Sequence, residues 1–541
     1  MHAEVPTRLA IAPSGIPPGI ELVSSPVNVA HLARCLIAHP DRNLVNFLLN
    51  GFSYGFDLGY RGPILPGTRK NLLSARSHSA EVSQALSKEV SRGHTIGPFT
   101  VSPYPVLHVS PLGAVAKKDG TFRIILDLSS PAGESVNEGI CKDEYSVRYQ
   151  SFDEAVSLVL FLGPGSSMAK VDVKHAFRLC PVRPQDFPLL GMFWQNQFFI
   201  DTRLPFGGWS SLFIFNSFAD ALAWILIFVC GVPHVLHYLD DFFIASADLH
   251  CFQYVYTVKQ AFQFLGVPIA EDKLEGPSTC LTYLGIEIDS ISMQLRLPEE
   301  KLLELRALLL SWQDKRNCTK KELLSLIGKL SFAAKVIKPG RLFVRRLIDL
   351  SKTVKKLHHH LYVSHSARED IKWWCRFLDE WNGVSFIQSA PVSSIELQFF
   401  TDASFLGFGG LYQSHWFSAA WPNFFDKDLD INYRELFAVV VACQIWGHNW
   451  VNRQVVVMSD NKPICDAWLS KSAKDPLLMK LFRHLFMHAA RLNFNILFEH
   501  LPGRRNYLAD LLSRLQVEKF KLMAPFADVA PTHLPPCIWR I

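Results

Sequence analysis

Three carboxylates stand at the ends of apolar runs in the first half of the chain. Asp172 closes Met168-Ala-Lys-Val-Asp172, and the adjacent pair Asp240 and Asp241 sits between Val235-Leu-His-Tyr-Leu239 and Phe242-Phe-Ile-Ala245. An unpaired charge is expensive inside a strand, so acids gathered at strand ends point to a divalent cation held by hard oxygen ligands. Two such cations can acidify an attacking hydroxyl and stabilise charge on a leaving group during in-line displacement. Successive strand side chains face opposite ways, so Asp240 and Asp241 cannot ligand equally. Taken alone, Asp240-Asp241 reads more readily as a plain hairpin turn, where Asp is common.

A second group of acids lies nearer the C-terminus. Leu397-Gln-Phe-Phe400 delivers Thr401-Asp402-Ala-Ser404, ahead of a glycine-rich hairpin at Gly407, Gly409 and Gly410. Glu435, in Tyr433-Arg-Glu-Leu436, begins a helix and shares a face with Val439, Ala442 and Trp446. A carboxylate on an apolar stripe needs a partner, and a metal would serve. Val455-Val-Val-Met458 is a buried strand ending at Ser459-Asp460, and Asp510 starts a helix in Asn506-Tyr-Leu-Ala-Asp510. Singly, Asp402 and Asp510 are ordinary strand-end and helix-start acids. His500, ahead of Pro502-Gly503, is either a loop histidine or a group that works beside these acids.

Such groups need a scaffold of mixed type. Phe99 to Leu128 is strand-like, with a charged turn at Lys117-Lys118-Asp119-Gly120 between two apolar runs, a hairpin signal. Phe152 to Ile288 alternates apolar runs with helices, which suggests a mixed sheet covered on one face. After Leu297 the chain turns helical, with capping boxes expected at Thr319 with Glu322 and at Ser366 with Glu369. Strands return at Ile395. The order three strands, helix, strand, helices, strand, helix then runs to about Leu515, and a Pro-containing tail follows. Before Gly97 there is a short helical pattern around His31 to Leu49 and no readable chemistry. A chain of 541 residues with this alternation is of the α+β class and holds more than one domain.

Bulk properties narrow the partners. The formal net charge of +6 suits nucleic acid without requiring it. Its distribution is more telling: between Lys315 and Lys356 thirteen Lys and Arg face only Glu322 and Asp349. That stretch either holds a phosphate backbone through counterion release or is a solvated helical face. Eleven cysteines, without a C-x-x-C pair or zinc-knuckle spacing, read as reduced thiols of an intracellular protein. No signal peptide is visible. Ala221 to Val232 is apolar but too short to span a bilayer, so a buried helix and no membrane partner are expected. His358, His359 and His360 are adjacent and point different ways on a helix, as surface residues rather than a metal site.

Order and spacing carry a resemblance that single residues do not. Tyr238-Leu-Asp-Asp241 resembles the Y-x-D-D motif of reverse transcriptases, and Asp172-Val-Lys-His-Ala-Phe177 resembles their first carboxylate motif. Leu204-Pro-Phe-Gly207 is similar to the family's L-P-[FQ]-G, which opens the helix beneath the templating base. Lys117 and Arg123 resemble the fingers cations that grip the incoming triphosphate, and Tyr283-Leu-Gly285 resembles the primer grip. Lys273 stands where the family often has a lysine acting as general acid for pyrophosphate. The resemblance implies a right-hand polymerase of fingers, palm and thumb. Asp172 and Asp240 would ligand the metals with Asp241 in support, and Phe177 would lie under the sugar and exclude a 2′-hydroxyl. Phe206, beside Gly207 at the nucleotide, replaces a retroviral Gln and points to a retrotransposon. The fingers loop is one residue shorter than in retroviruses, so the choice of Lys117 over Lys118 stays open.

Asp402, Glu435, Asp460 and Asp510 resemble the ordered D, E, D, D set of ribonuclease H, which holds two magnesium ions and directs water at the RNA strand of a hybrid. His500 is similar to that fold's mobile histidine, assigned to product release. His500-Leu-Pro-Gly-Arg-Arg-Asn506 with Ala509-Asp-Leu-Leu-Ser-Arg514 looks most like DIRS-like retrotransposons, which encode a tyrosine recombinase; Ty3/gypsy-type elements come second.

The implied organisation is an N-terminal extension of unknown role at 1–97, fingers and palm at 98–290, helical thumb and connection at 291–394, an RNase H-like α/β domain at 395–515 and a tail at 516–541. The implied cofactor is Mg2+, two per site, with Mn2+ as substitute. Implied partners are an RNA template, a DNA primer, the RNA–DNA hybrid and dNTPs, with an element-encoded recombinase or structural protein, in the cytoplasm or nucleus. The basic stretch would then follow the shape and backbone of the hybrid. The main rival is a catalytically inactive, element-derived nucleic-acid-binding protein, and the presence of all seven candidate acids speaks against it. A hepadnavirus- or caulimovirus-type polymerase shares both domains. A DNA-templated repair polymerase is disfavoured by the ribonuclease-like part.

Overall fold

The computed structural model describes residues 16, 22, 24–117, 120–248, 250–380, 384–386, 392–426, 428–459, 461–470, 475–500 and 506–540. They belong to two compact units divided between Leu281 and Thr282.

In the first unit, α1 (Val29–Cys35) and α2 (Arg42–Tyr54) start at side-chain caps, Asn28 and Asp41. The N-terminal stretch is part of the core: α2 buries Val45, Leu48 and Phe52, and the Phe52 ring lies 4.7 Å from Phe218. α3 (Ser79–Ser91) follows. The expected hairpin forms as β1 (Leu112–Ala116) against β2 (Phe122–Leu126), with Leu112 opposite Leu126 and Ala116 opposite Phe122. The turn residues Lys118 and Asp119 lie outside the described residues. α4 (Phe152–Leu162) opens on a capping box of Ser151 and Glu154.

The centre of this unit is a four-stranded antiparallel sheet. Its strands are β3 (Ser167–Asp172), β4 (Val235–Tyr238), β5 (Asp241–Ser246) and β6 (Glu275–Ser278), in the order β6-β3-β5-β4. Helices α4, α5 (Trp209–Trp224) and α6 (Cys251–Leu265) pack on it. Mixed pairing occurs in a separate five-stranded sheet that includes Gly191–Trp194 and Gln197–Asp201.

The apolar helix is longer than its sequence stretch suggests. Trp209–Val229, 21 residues, is long and apolar enough to cross a membrane by length and composition, yet 61% of its apolar window is buried inside the protein. Phe215, Phe218 and Leu222 are fully buried on it, as in a core helix.

In the second unit, α7 (Glu299–Trp312) precedes α8 (Lys320–Ala333), and the capping box of Thr319 and Glu322 forms as expected. α9 (Arg345–Ser351) and α10 (His365–Glu380) follow. The second expected capping box does not form. Ser364 Oγ, rather than Ser366, accepts from the Ala367 amide at 3.3 Å, and Glu369 pairs with Lys372. The helix begins before Ser366, which places that residue inside the first turn. The three adjacent histidines are exposed, but they occupy a turn and the start of a short strand (His360–Tyr362) instead of a helix. Part of the basic stretch is ion-paired, Lys315 with Glu322 at 2.7 Å and Arg345 with Asp349 at 3.1 Å.

The rest of this unit has the expected element order. β7 (Phe399–Ala403), β8 (Gly407–Tyr412) and β9 (His415–Ala420) form one antiparallel sheet. Then come α11 (Ile431–Trp446), β10 (Gln454–Ser459), α12 (Lys462–Ser470), α13 (Pro476–Arg491), β11 (Asn495–His500) and α14 (Tyr507–Ser513). β10 and β11 pair in parallel. The tail is structured. α15 (Val517–Met523) buries Phe520 at 5.3 Å from Trp416, and Asp528 accepts the Trp416 indole N–H through its backbone oxygen at 2.7 Å. Buried Asp370 of α10 is shared by Arg346 and by Arg483 of α13.

Candidate active sites

The first site is built on strand ends. Leu239 adopts a positive φ of 55°, and Tyr238 and Asp241 pair across the turn that joins β4 to β5. Because β5 also pairs with β3, Asp241 lies directly opposite Asp172. The Val173 amide donates to the Asp240 carbonyl at 2.9 Å, which closes the hairpin onto β3. Asp172 is only 5% exposed, and Lys273 Nζ donates to both its carboxylate oxygens at 2.9 and 3.1 Å. Asp172, Asp240, Asp241 and Lys273, remote in sequence, thus converge.

Charge crowding shows in their protonation. Burial first, then the charge of Asp172, raises the Asp240 carboxyl, with Lys273 and Arg123 opposing. Asp241 is pushed up to about 6 by burial and by Asp240 and Asp172. For Lys273 burial favours the neutral amine, but the hydrogen bond and charge of Asp172 outweigh it and raise the ammonium's pKa. Hard oxygen donors with surplus negative charge fit a divalent cation. Among the described residues no three or more His, Cys, Asp or Glu side chains are gathered closely enough to hold a metal ion, and Asp172 is held by Lys273.

Around these acids, Phe177 lies edge-on to Phe206 at 5.4 Å, and Arg123 sits over the Phe206 ring at 5.6 Å. Lys117 is exposed at the end of the β1–β2 hairpin. Gly207 takes a φ of +97°, where a side chain is strained. Its carbonyl accepts from Asn137 Nδ2 at 3.0 Å, while Asn137 Oδ1 accepts from the Trp209 amide at 3.0 Å and so caps α5.

Sequence reasoning missed several supports. Arg178, next to Phe177, is buried and donates to Asp201 at 2.8 Å and Glu89 at 3.0 Å. Burial alone would raise the Glu89 carboxyl, but hydrogen bonding from His94 and the charge of Arg178 bring it down to about 2. On the edge strand β4, the His237 amide donates to Gln150 Oε1 at 2.6 Å, and Tyr149 lies 5.0 Å from Tyr238. His237 Nε2 meets Asp220 of α5 at 2.9 Å. Arg178, Asp220 and His237 interrupt apolar runs, but nothing in the sequence marks Glu89 or Gln150 as their partners or neighbours.

The second site lies on β7, α11 and β10. A small cleft is lined by Thr401, Asp402, Glu435, Val439, Val457, Met458 and Ser459, so Asp402 and Glu435 are brought together. Asp460 lies outside the described residues, as do Pro502 and Gly503. Exposed His500 ends β11 alongside Ser459 of β10. Asp510 is not part of the cleft lining; its carboxylate accepts from Arg514 Nε at 2.7 Å. One turn later on α14, Ser513 Oγ donates to Asp402 Oδ2 at 2.5 Å.

Residues 115–288 match the family Reverse transcriptase (RNA-dependent DNA polymerase). Over 456 residues, 80% of this chain, the sequence is 22% identical to the Transposon Tf2-3 polyprotein of Schizosaccharomyces pombe, and equally to the Transposon Tf2-4 polyprotein. The chain spans 30% of the length of each of these relatives. Similar solved structures include a foamy viral protease-reverse transcriptase with double-stranded DNA, at a TM-score of 0.49, 15% identity, and 90% and 84% coverage of this chain and that one. Another holds an RNA/DNA hybrid, at a TM-score of 0.46, 14% identity, and 89% and 64% coverage. The first constellation therefore lies within the segment that matches the reverse transcriptase family, in a chain similar to part of transposon polyproteins.

Proposed function

We propose that the chain is an RNA-directed DNA polymerase that copies retrotransposon RNA into DNA and cleaves the RNA strand of the resulting hybrid. The observation that carries this reading is the meeting of Asp172, Asp240, Asp241 and Lys273 at paired strand ends, inside the segment that matches the reverse transcriptase family.

Asp172 and Asp240 would hold Mg2+, or Mn2+ in its place, with Asp241 supporting, and the four acids Asp402, Glu435, Asp460 and Asp510 would do so at the nuclease site. When bound, these ions supply acidification of the primer hydroxyl or of water and stabilisation of the leaving oxygen. The chain's own groups do the rest. Lys117 and Arg123 hold the triphosphate of a dNTP, and Phe177 lies under its sugar where a 2′-hydroxyl would clash. Lys273 Nζ keeps a proton ready for the departing pyrophosphate, and His500 assists product release from the nuclease cleft. RNA template, DNA primer and hybrid are the partners, with an element-encoded recombinase or structural protein beside them, in the cytoplasm or nucleus.

The relatives support an element of the Ty3/gypsy-like kind. The phrase from His500 to Arg514 supports the finer DIRS-like assignment. The test is primer extension on a labelled RNA template with Mg2+ and dNTPs. DNA synthesis with shortening of the RNA, both abolished by EDTA, is expected. Folded protein that binds the hybrid and does neither, in Mg2+ or Mn2+, is instead an inactive binding protein.

A further inference from the structure

The glycines of β8 have a structural use beyond the hairpin. A Cβ at Gly409 would stand 2.4 Å from Leu512 Cβ, and one at Gly407 would stand 3.0 Å from Leu515 Cδ2 and 2.3 Å from the Ala419 carbonyl. Without side chains at these positions α14 settles directly onto the strand. It is then fastened at both ends. Asn506 Nδ2 donates to the Thr401 carbonyl at 2.9 Å, Ser418 Oγ to the Leu512 carbonyl at 2.6 Å and Ser404 Oγ to the Ser513 carbonyl at 2.8 Å. This close approach brings the fully buried Ser513 hydroxyl to 2.5 Å from Asp402 Oδ2.

Ser513 Oγ also lies 3.0 Å from the Asp510 carbonyl, but a hydroxyl has one proton. The shorter, charge-assisted bond to the carboxylate takes it. Asp402 lines the cleft shared with Glu435 and Ser459, so one of its oxygens is engaged by α14 while the group borders the cleft. We infer that Ser513 is a positioning residue: by holding Oδ2, it fixes the orientation of the Asp402 carboxylate in the cleft, and with it the affinity of that carboxylate for a divalent cation. The inference rests on the proposed nuclease reading and adds to it a determinant of cation affinity.

The test uses the full chain carrying Asp240→Asn, which weakens cation binding at the first site. Mn2+ binding is followed by electron paramagnetic resonance, and hybrid cleavage is followed against Mg2+ concentration. Ser513→Ala is expected to weaken Mn2+ binding and to raise the Mg2+ midpoint of cleavage, each about tenfold. Ser513→Thr, which keeps the hydroxyl, should restore both. Wild-type Mn2+ affinity and Mg2+ midpoint in a folded Ser513→Ala protein overturn the inference, and so does a Thr variant as impaired as the Ala variant. Should the Ala variant not fold, Ser513→Cys, similar in size and a weak donor, is read by the same criteria. Asp402→Asn separates the two levels. If it leaves Mn2+ binding and cleavage intact, the nuclease reading fails. If it abolishes both while Ser513→Ala changes neither, the Ser513 inference alone falls.

Discussion

The two carboxylate sites solve the same electrostatic problem differently. At the first, three acids at paired strand ends share the ammonium of Lys273, and burial together with the charge of neighbouring acids raises the carboxyl pKa values at Asp240 and Asp241. At the second, a helix supplies partners one by one, Ser513 to Asp402 and Arg514 to Asp510. A backbone register gathers the first set, and close helix packing on a glycine-rich strand arranges the second. The first site is therefore charge-stressed and ready to respond to a cation or a proton. The second is oriented in advance by neutral and cationic donors.

The largest expected effect breaks the comparison cleanly. Asp240→Asn should lower DNA synthesis at least about a thousandfold, the several kcal/mol that metal-held charge stabilisation provides, while hybrid cleavage persists. Asp402→Asn should show the reverse in the same two assays; loss of both activities in either variant would merge the sites into one functional unit. Arg178→Met comes next. It leaves the Asp201 carboxylate buried and uncompensated, so a loss of about 3–5 kcal/mol in stability is expected by urea denaturation. A change under about 1 kcal/mol would mean the buried network is not holding the segment that carries Phe177.

Phe177→Ala should raise ribonucleotide use relative to deoxynucleotide about ten- to a hundredfold in kcat/KM. Unchanged sugar discrimination would remove Phe177 from the nucleotide site. The smallest effect sharpens the contrast in charge. The folded-state pKa of Asp241, about 6, stands above its ordinary 3.8, so the ionised carboxylate opposes folding. That cost is absent below pH 3.8, grows as pH rises to about 6 and is full above it. Asp241→Asn should therefore stabilise the protein by about 1–2 kcal/mol at about pH 8 in EDTA, allowing for partial exposure, with no gain below about pH 4. Melting curves at the two pH values would show it, and a gain of equal size at both would refute the charge-stress account.

What the sequence made legible follows from the range of the interactions. The hairpin of β1 and β2, the capping box at Thr319 and the order of elements from β7 to α14 come from local periodicity and turn chemistry. The Asp172 and Asp240-Asp241 positions were visible because a carboxylate at the end of an apolar run is costly unless a cation or a turn accommodates it. The supports were not visible. Gln150 reaches His237 and Glu89 reaches Arg178 across long sequence separations, and no spacing announces such pairs. The expected box at Ser366 failed because a second serine two residues earlier offered its hydroxyl first. Nor does composition say that α14 needs the bare backbone of Gly407 and Gly409.

The tail carries a lesson about modularity. Motifs end with Arg514, and a nuclease-like module excised there would look complete by its chemistry. Yet Phe520 lies against Trp416, the Asp528 carbonyl receives the Trp416 indole, and Trp539 stacks on Phe437. A fusion partner joined directly after Leu515 would leave aromatic surface on β9 and α11 open to solvent. The portable unit is therefore longer than the stretch that carries its candidate acids, by the length of chain needed to roof those rings.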